Sequence, residues 1–332
     1  MPERSILVAG GAGYIGSHTC KALRRSGFVP VVFDNLTTGH REFVKWGPFV
    51  RGDIRDKPAL AEVIRTHKID AVLHFAACAY VGESVIDPEK YYDNNVLGTL
   101  SLLAAMRMAG CSKIVFSSTC AVYGQHDGAP IAETARLSPV NPYGASKLMA
   151  ETMLSDFAAA YGLCYTALRY FNAAGADPEG ELGELRDPET HLIPRAIMAL
   201  QGHIHDFAVY GNDYDTPDGT AIRDYIHVTD LAEAHVAALR RLLAEGGNGT
   251  FNLGTGAGYS VNEVLDAIVA KANIRLPIVR GTRRPGDPAV LVADAALARQ
   301  ELSFTPKRSD LDTIITTAWN WHAKAHPRRE PN

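Results

Sequence analysis

Tyr143 and Lys147 stand four positions apart in the run Asn141-Pro142-Tyr143-Gly144-Ala145-Ser146-Lys147. Asn141 suits an N-cap and Pro142 the first helical position, so the spacing predicts a helix with both side chains on one face, one turn apart. A phenol has an ordinary pKa of about 10; a neighbouring ammonium, joined by an oxidised nicotinamide ring, favours the phenolate and brings the group towards a working base near neutral pH. The chemistry this pair can do is proton removal from a hydroxyl whose carbon gives up a hydride. A second hydroxyl that shares the proton would come from Ser117-Ser118-Thr119, at the end of an apolar run. Thr119 is the candidate chosen of the three, although its position also suits simple packing. Cys120 follows it with no partner histidine in a recognisable motif, which points to a packing thiol.

A hydride needs an acceptor, and the chain opens with Gly10-Gly11-Ala12-Gly13-Tyr14-Ile15-Gly16. A glycine pattern alone is weak, but this one follows an expected strand, opens an expected helix and is answered by Asp34 at the end of the next strand. Gly10, Gly13 and Gly16 would let backbone approach a pyrophosphate, with the helix N-terminus supplying N–H donors. Asp34 can accept from a ribose diol and would repel a 2′-phosphate, which favours NAD over NADP. Gly52-Asp53-Ile54 could read the adenine through Asp53 or be a plain turn.

Strands alternating with helices position these residues: the pattern predicts an α/β fold of the Rossmann type, a doubly wound parallel sheet with helices on both faces. Expected strands are Ser5 to Ala9, Pro30 to Phe33, Ala71 to Phe75, Lys113 to Phe116 and Tyr165 to Arg169, each ending near candidate site residues. After about Gly175 the texture becomes turn-rich. The expected division is a cofactor-binding part over residues 1–175 and a smaller α/β substrate-binding part over 176–332, with some chain crossing back to the sheet. In the second part Asp230-x-x-Glu233 and Ser260-x-x-Glu263 both read as capping boxes. Met149, Met153, Phe157 and Tyr161 form an apolar stripe on the helix from Pro142, either core or interface, with core as the default. The residues from about His326 read as a frayed end.

The 332 residues carry a formal net charge of −4 and 46% apolar residues, the profile of an ordinary soluble enzyme. No basic run is long enough to follow a phosphate backbone, so no nucleic-acid partner is expected. No stretch approaches about 20 apolar residues and no leader pattern precedes Ser5, so no membrane partner and a cytoplasmic location are expected. The five cysteines lack metal-ligand spacing and read as reduced, mostly buried thiols. His74, His191 and His227 read as hydrogen-bonded rather than metal-ligating, because no His-x-x-x-His or carboxylate cluster is visible around them, and no metal is expected.

Taken with His74-Phe75-Ala76-Ala77, Val81-Gly82-Glu83-Ser84, Tyr91-Tyr92-Asp93-Asn94-Asn95, Tyr123-Gly124, Arg169-Tyr170-Phe171-Asn172, Arg223-Asp224-Tyr225-Ile226-His227 and Arg283-Arg284-Pro285-Gly286-Asp287, these motifs run nearly end to end. The chain resembles the extended short-chain dehydrogenase/reductase family and, in Gly211-Asn212-Asp213-Tyr214 with Asp218-Gly219-Thr220, its nucleotide-sugar 4-epimerases. That resemblance implies tightly held NAD, regenerated each turnover, and reversible interconversion of UDP-galactose and UDP-glucose through a 4-keto sugar; the alternative is a UDP-xylose/UDP-arabinose enzyme or dual specificity. It implies cofactor contacts from Tyr14, Ile15, Asp34, Asn35, Asp53, Ile54, Phe75, Ala76, Ala77, Asn94, Lys147 and Tyr170. Thr119 and Tyr143 would meet the sugar. Asn172, Leu192, Tyr210, Arg223, Arg284, Asp287 and Leu291 would complete the UDP-sugar site, and a homodimer would form through the helices after Asn95 and Pro142. Asp287 could alternatively be only the salt-bridge partner of Arg284.

Two positions depart from the family. Ala79 stands where many epimerases carry a lysine near the nicotinamide ribose, in a form shared with UDP-pentose enzymes. Leu291 stands where a large tyrosine excludes N-acetylated sugars or a small residue admits them, and weak or no use of UDP-GlcNAc is expected. Cys120 and Ala121 lack the carboxylic acids that a 4,6-dehydratase or a decarboxylating relative would need. A reductase with exchanging cofactor would keep Tyr143 and Lys147, whereas a non-catalytic NAD-binding protein would have no reason to keep both.

Overall fold

Near-continuous apolar runs make the strands of a sheet covered on both faces. The computed structural model describes residues 3–126, 130–283 and 287–326. Its main sheet contains β1 (Ser5–Ala9), β2 (Val29–Asp34), β3 (Phe49–Arg51), β4 (Ile69–His74), β5 (Lys113–Ser117), β6 (Cys164–Tyr170) and a late strand, Gly249–Leu253. Their spatial order is β3, β2, β1, β4, β5, β6 and 249–253. Every pairing is parallel. The order reverses between β1 and β4, so the strand ends diverge there into a crevice, where a doubly wound sheet takes its ligand.

One face packs α1 (Tyr14–Arg25) and the helix Val228–Glu245 over Ile6, Val8, Val32 and Leu73, with Leu23, Leu231, Leu239 and Leu242 facing them. The other packs α2 (Lys57–Thr66) and the helices Gly98–Ala109 and Pro142–Tyr161 over Leu7, Val31, Phe33 and Val72. Each leucine buried in these layers contributes about 1.5–3 kcal/mol. A second, smaller core gathers the helices Leu192–Leu200, Val261–Ala272 and Leu311–Ala325 around Ile197, Ile268 and Ile314. Beside it, Ile222–Arg223 is flanked by Tyr259–Ser260 and Val290–Leu291.

One capping expectation holds on folding, and three other readings change. The Ser260 capping box forms, with Ser260 Oγ accepting from the Glu263 N–H at 3.0 Å and Glu263 answering at 2.7 Å. The Asp230 box does not: His227 is the N-cap, its Nδ1 accepting from the Thr229 N–H at 3.1 Å. Asp230 accepts instead from the Lys307 and Arg308 N–H groups and the Ser309 hydroxyl, pinning a distant loop. The stripe on the helix from Pro142 is not simply core. Met153 and Phe157 pack against the sheet, but Met149 and Tyr161 are 45% and 58% exposed. Of the cysteines only Cys20 and Cys111 are buried, and Cys78, Cys120 and Cys164 are half-buried.

Candidate active site

The helix Pro142–Tyr161 starts as its sequence requires, with Asn141 Oδ1 accepting from the Gly144 N–H at 2.9 Å. Its first turns bury Tyr143 and Lys147 against the C-terminal end of β5. Lys147 Nζ donates to the Ser117 carbonyl at 2.9 Å and lies 4.8 Å from the centre of the Phe116 ring. Ser117 Oγ donates to the Tyr170 hydroxyl at 3.0 Å, tying β5 to the end of β6. Thr119 caps a short turn by accepting from the Ala121 N–H at 3.1 Å, and its side chain hydrogen-bonds the Tyr143 phenol. Tyr143, Thr119 and Lys147 therefore share one buried corner.

Burial pushes the Tyr143 phenol well above its ordinary value; Tyr170 adds to this, and the Thr119 hydrogen bond opposes it. Burial also lowers Lys147 to about 8, against the pull of Glu151. The sequence places activation of the phenol on the lysine and an oxidised ring together. In the protein alone desolvation is the largest influence on the phenol, and the groups that oppose it are Thr119 and Arg186.

A π-helical turn, Tyr92–Leu97, supports this corner. It presents Asn95 inward, where Nδ2 donates to the Cys78 carbonyl and to Ser146 Oγ, each at 3.0 Å. Its Oδ1 accepts from the Cys78 N–H at 2.8 Å and from Asn94 at 3.0 Å. Asn94 is expected at the cofactor from the sequence, whereas Asn95 is not; π-turns cluster at functional sites, but no local pattern in the sequence announces one.

The glycine loop fits a dinucleotide. Gly10 has φ +81°, and a Cβ there would lie 2.5 Å from the Ala76 nitrogen; one on Gly16 would lie 2.2 Å from the Gly10 oxygen. Gly13 has nothing closer than 3.4 Å, and it is an N-cap without a side-chain cap on a helix whose first turn carries no acid. That leaves the N-terminus of α1, with Tyr14, Ile15 and Gly16, open to an anion. Asp34 is buried at the end of β2, accepting from the Ala12 and Leu36 N–H groups at 3.0 and 2.8 Å. Burial raises its carboxyl above the usual range, and those two N–H groups oppose the rise. Asn35 donates to Asp53 at 3.1 Å, beside the buried Ile54, and Arg55 holds the Asp53 carboxyl well below the usual range. Phe75, Ala76 and Ala77 follow β4 directly, with the Phe75 and Ala76 N–H groups on the Ala9 carbonyl.

On the other side, Asn172 Nδ2 donates to the Asp224 carbonyl at 3.0 Å. Leu192 opens a helix, Tyr210 ends the strand Ala208–Tyr210, and Leu291 pairs with Arg223 between short strands. Asp287 forms an ion pair with Arg223. Arg284, the partner considered from sequence, lies outside the described residues. Asp224, fully buried, was missed as an organiser; it accepts from the Thr255, Gly256 and Ala293 N–H groups. Missed too was the carboxylate cluster around His191, since Glu184, Glu189 and His191 bring ligand-type atoms within 4.8 Å of one another. Arg186 already supplies a cation there, with Nε 2.7 Å from Glu184, which also accepts from His191 Nδ1 at 2.7 Å.

A buried tyrosine beside a lysine and a threonine, at the mouth of a dinucleotide cradle, defines a nucleotide-dependent enzyme of the dehydrogenase type. The chain belongs to the NAD dependent epimerase/dehydratase family, whose model matches residues 6–254. It is 54% identical over 324 residues to a UDP-glucose 4-epimerase of Rhizobium meliloti (strain 1021), covering 98% of each chain. Among solved structures it is similar to UDP-glucose 4-epimerase from Brucella ovis in complex with NAD, at 56% identity and a TM-score of 0.93, covering 96% of this chain and 98% of that one. It is also similar to UDP-glucose-4-epimerase from Stenotrophomonas maltophila with bound NAD and formylated UDP-arabinopyranose, at 42% identity and a TM-score of 0.94, covering 97% and 99%.

Proposed function

We propose that this chain interconverts UDP-galactose and UDP-glucose by 4-epimerisation, with NAD held tightly and regenerated in each turnover. The observation that carries the reading is the Tyr143, Thr119 and Lys147 corner beside the Gly10 to Gly16 cradle, in a chain similar over nearly its whole length to UDP-glucose 4-epimerases. When bound, NAD supplies a reversible hydride sink. Tyr143 takes the 4-OH proton with Thr119 sharing it, and a 4-keto sugar forms. The ketone turns within the site, and Tyr143 returns the proton to the same oxygen once the opposite face of C4 has been reduced. Lys147, bonded to the Ser117 carbonyl, would hold the cofactor ribose when NAD is bound and would steady the charge on the phenolate. Arg223, Asp287, Arg284 and Asn172 grip the UDP, so that binding energy is spent away from the carbon that must rotate.

In this reading residues 1–175 carry mainly the cofactor and 176–332 mainly the UDP-sugar. Leu291 discriminates against N-acetylated sugars. Leu97, Leu100, Met108, Met149 and Tyr161 are exposed apolar side chains on neighbouring helices, which supports a homodimer through that face. Among the described residues no helix is long and apolar enough to cross a membrane, and a cytoplasmic enzyme is the reading that fits the reduced thiols.

Purified protein would be given UDP-galactose, UDP-glucose, UDP-xylose, UDP-arabinose and UDP-GlcNAc separately, without added NAD, and followed by proton NMR. Conversion of UDP-galactose to UDP-glucose without net NADH is expected, with UDP-GlcNAc slow or inert. Turnover confined to the pentoses would transfer the reading to the pentose alternative. No turnover of any sugar after NAD is restored would overturn it.

A further inference from the structure

The helix Pro142–Tyr161 carries a third buried side chain on the face of Tyr143 and Lys147, one further turn along: Glu151. All three meet the same short stretch of chain at the end of β5. Thr119 hydrogen-bonds the Tyr143 phenol, Lys147 Nζ donates to the Ser117 carbonyl, and the Ser118 hydroxyl donates to Glu151. Arg169, from β6, grips the same carboxylate, with Nη2 2.6 Å from one oxygen and Nε 3.0 and 3.2 Å from the two. Through Nη1 the guanidinium also donates to the Tyr123 hydroxyl at 3.0 Å, and that hydroxyl donates on to Asn252 Oδ1 at 2.7 Å. Ser118 stands immediately before Thr119, and Tyr123 immediately after the Cys120–Val122 turn that Thr119 caps. Both ends of the segment that carries Thr119 are therefore tied to one buried ion pair.

We infer that Glu151 and Arg169 are positioning residues for the proton transfer: by holding Ser118 and Tyr123 they set where the Thr119 hydroxyl meets Tyr143. Two charges taken out of water gain little net stability from each other, and a buried pair can often be exchanged for apolar groups without loss to the fold; fixing one arrangement is the better-attested use of such a pair. Arginine suits the task because its donors leave a rigid plane in set directions, here towards Glu151, the Tyr123 hydroxyl and the Glu133 carbonyl together. A displacement of about 1 Å near a reacting group can cost about a hundredfold in rate, which gives the pair leverage on a step it does not touch. The inference rests on Tyr143 as the base and Thr119 as the hydroxyl that shares its proton.

The test is a double-mutant cycle. Ser118→Ala releases one end of the segment and leaves the ion pair whole; Tyr123→Phe releases the other end. Each should lower kcat for UDP-galactose about tenfold with KM and NAD content unchanged, and each should lose that effect in a Thr119→Ala background, where nothing remains to be positioned. A second readout needs no substrate. Ultraviolet titration of the NAD-loaded protein, with Tyr143→Phe as blank, should place the phenolate transition higher in Ser118→Ala, in the direction of Thr119→Ala and by no more than that variant. The other titratable groups around the phenol, Tyr170, Cys120, Arg186, Tyr91 and Lys147, are the same in every variant compared. A wrong substrate assignment would abolish turnover and leave the titration shift in place, so the two failures are distinguishable. An equal cost of Ser118→Ala with and without Thr119, or an unmoved titration, marks a merely structural network and overturns the inference; should Ser118→Ala fail to fold, Tyr123→Phe decides by the same two measurements.

Discussion

Tyr143 is held by surroundings that disfavour its working form. Its phenol is buried next to Tyr170, and only a hydrogen bond from Thr119 and positive charge nearby offset the desolvation. In the proposed mechanism such a base would ionise only when the site is charged correctly, which would couple proton removal to the oxidised state of the cofactor. Tyr143→Phe should lower turnover of UDP-galactose by about 10²–10⁴-fold or more, while the protein still co-purifies with NAD, as nucleotide released on denaturation would measure. Retained turnover would remove Tyr143 from the mechanism. The pair at 143 and 147 was readable in the sequence because both residues sit on one short helical segment with its own start signal. Asn95 and Asp224 were not, since each holds partners 17 or more residues away.

At the scale of elements, the loop before α1 separates two uses of glycine. A Cβ at Gly16 would collide with the Gly10 carbonyl, whereas one at Gly13 meets only an ordinary contact, and the backbone there is extended at φ −80°. Gly16→Ala should therefore destabilise the fold itself, by about 1–3 kcal/mol. Gly13→Ala should leave the cofactor-free protein within about 0.5 kcal/mol of the parent yet reduce NAD retention. Denaturant melts of stripped protein, beside the NAD content of freshly purified protein, separate the two; equal losses of stability would show that Gly13 is a packing residue. The strand runs, the helix from Pro142 and the Ser260 cap were legible because their signals are local and periodic. The Asp230 box misled because a better acceptor, His227, stood one turn earlier, and because three donors from the 307–309 loop claim the carboxylate.

For the whole molecule, the five buried histidines set an acid limit. His18, His227, His235 and His322 are lowered by burial to about 4 and His74 to about 3. Each binds a proton in the unfolded chain below about 6.5 but not in the fold, so stability is full above that pH and falls as pH drops towards 4, by up to ~1.4 kcal/mol per pH unit for each histidine. Urea midpoints measured between pH 7.5 and 4.5 should fall steadily, and a flat profile would mean that these imidazoles charge without unfolding. The exposed apolar face gives a second prediction at this scale. Leu100→Asp should convert the proposed dimer to monomers of 35.9 kDa with little loss of helix, read by light scattering and circular dichroism; an unchanged mass would remove this face as a dimer contact.

The sheet takes its last strand from residues 249–253 and one covering helix from 228–245, so a nascent chain cannot close that layer when its first 175 residues leave the ribosome. Until then β6 is an open edge and Leu23, Val32 and Leu73 lack a roof. Synthesis at about 5–20 residues per second leaves this half-built sheet waiting for several seconds, a window in which its open edge and uncovered apolar side chains are exposed to wrong pairing.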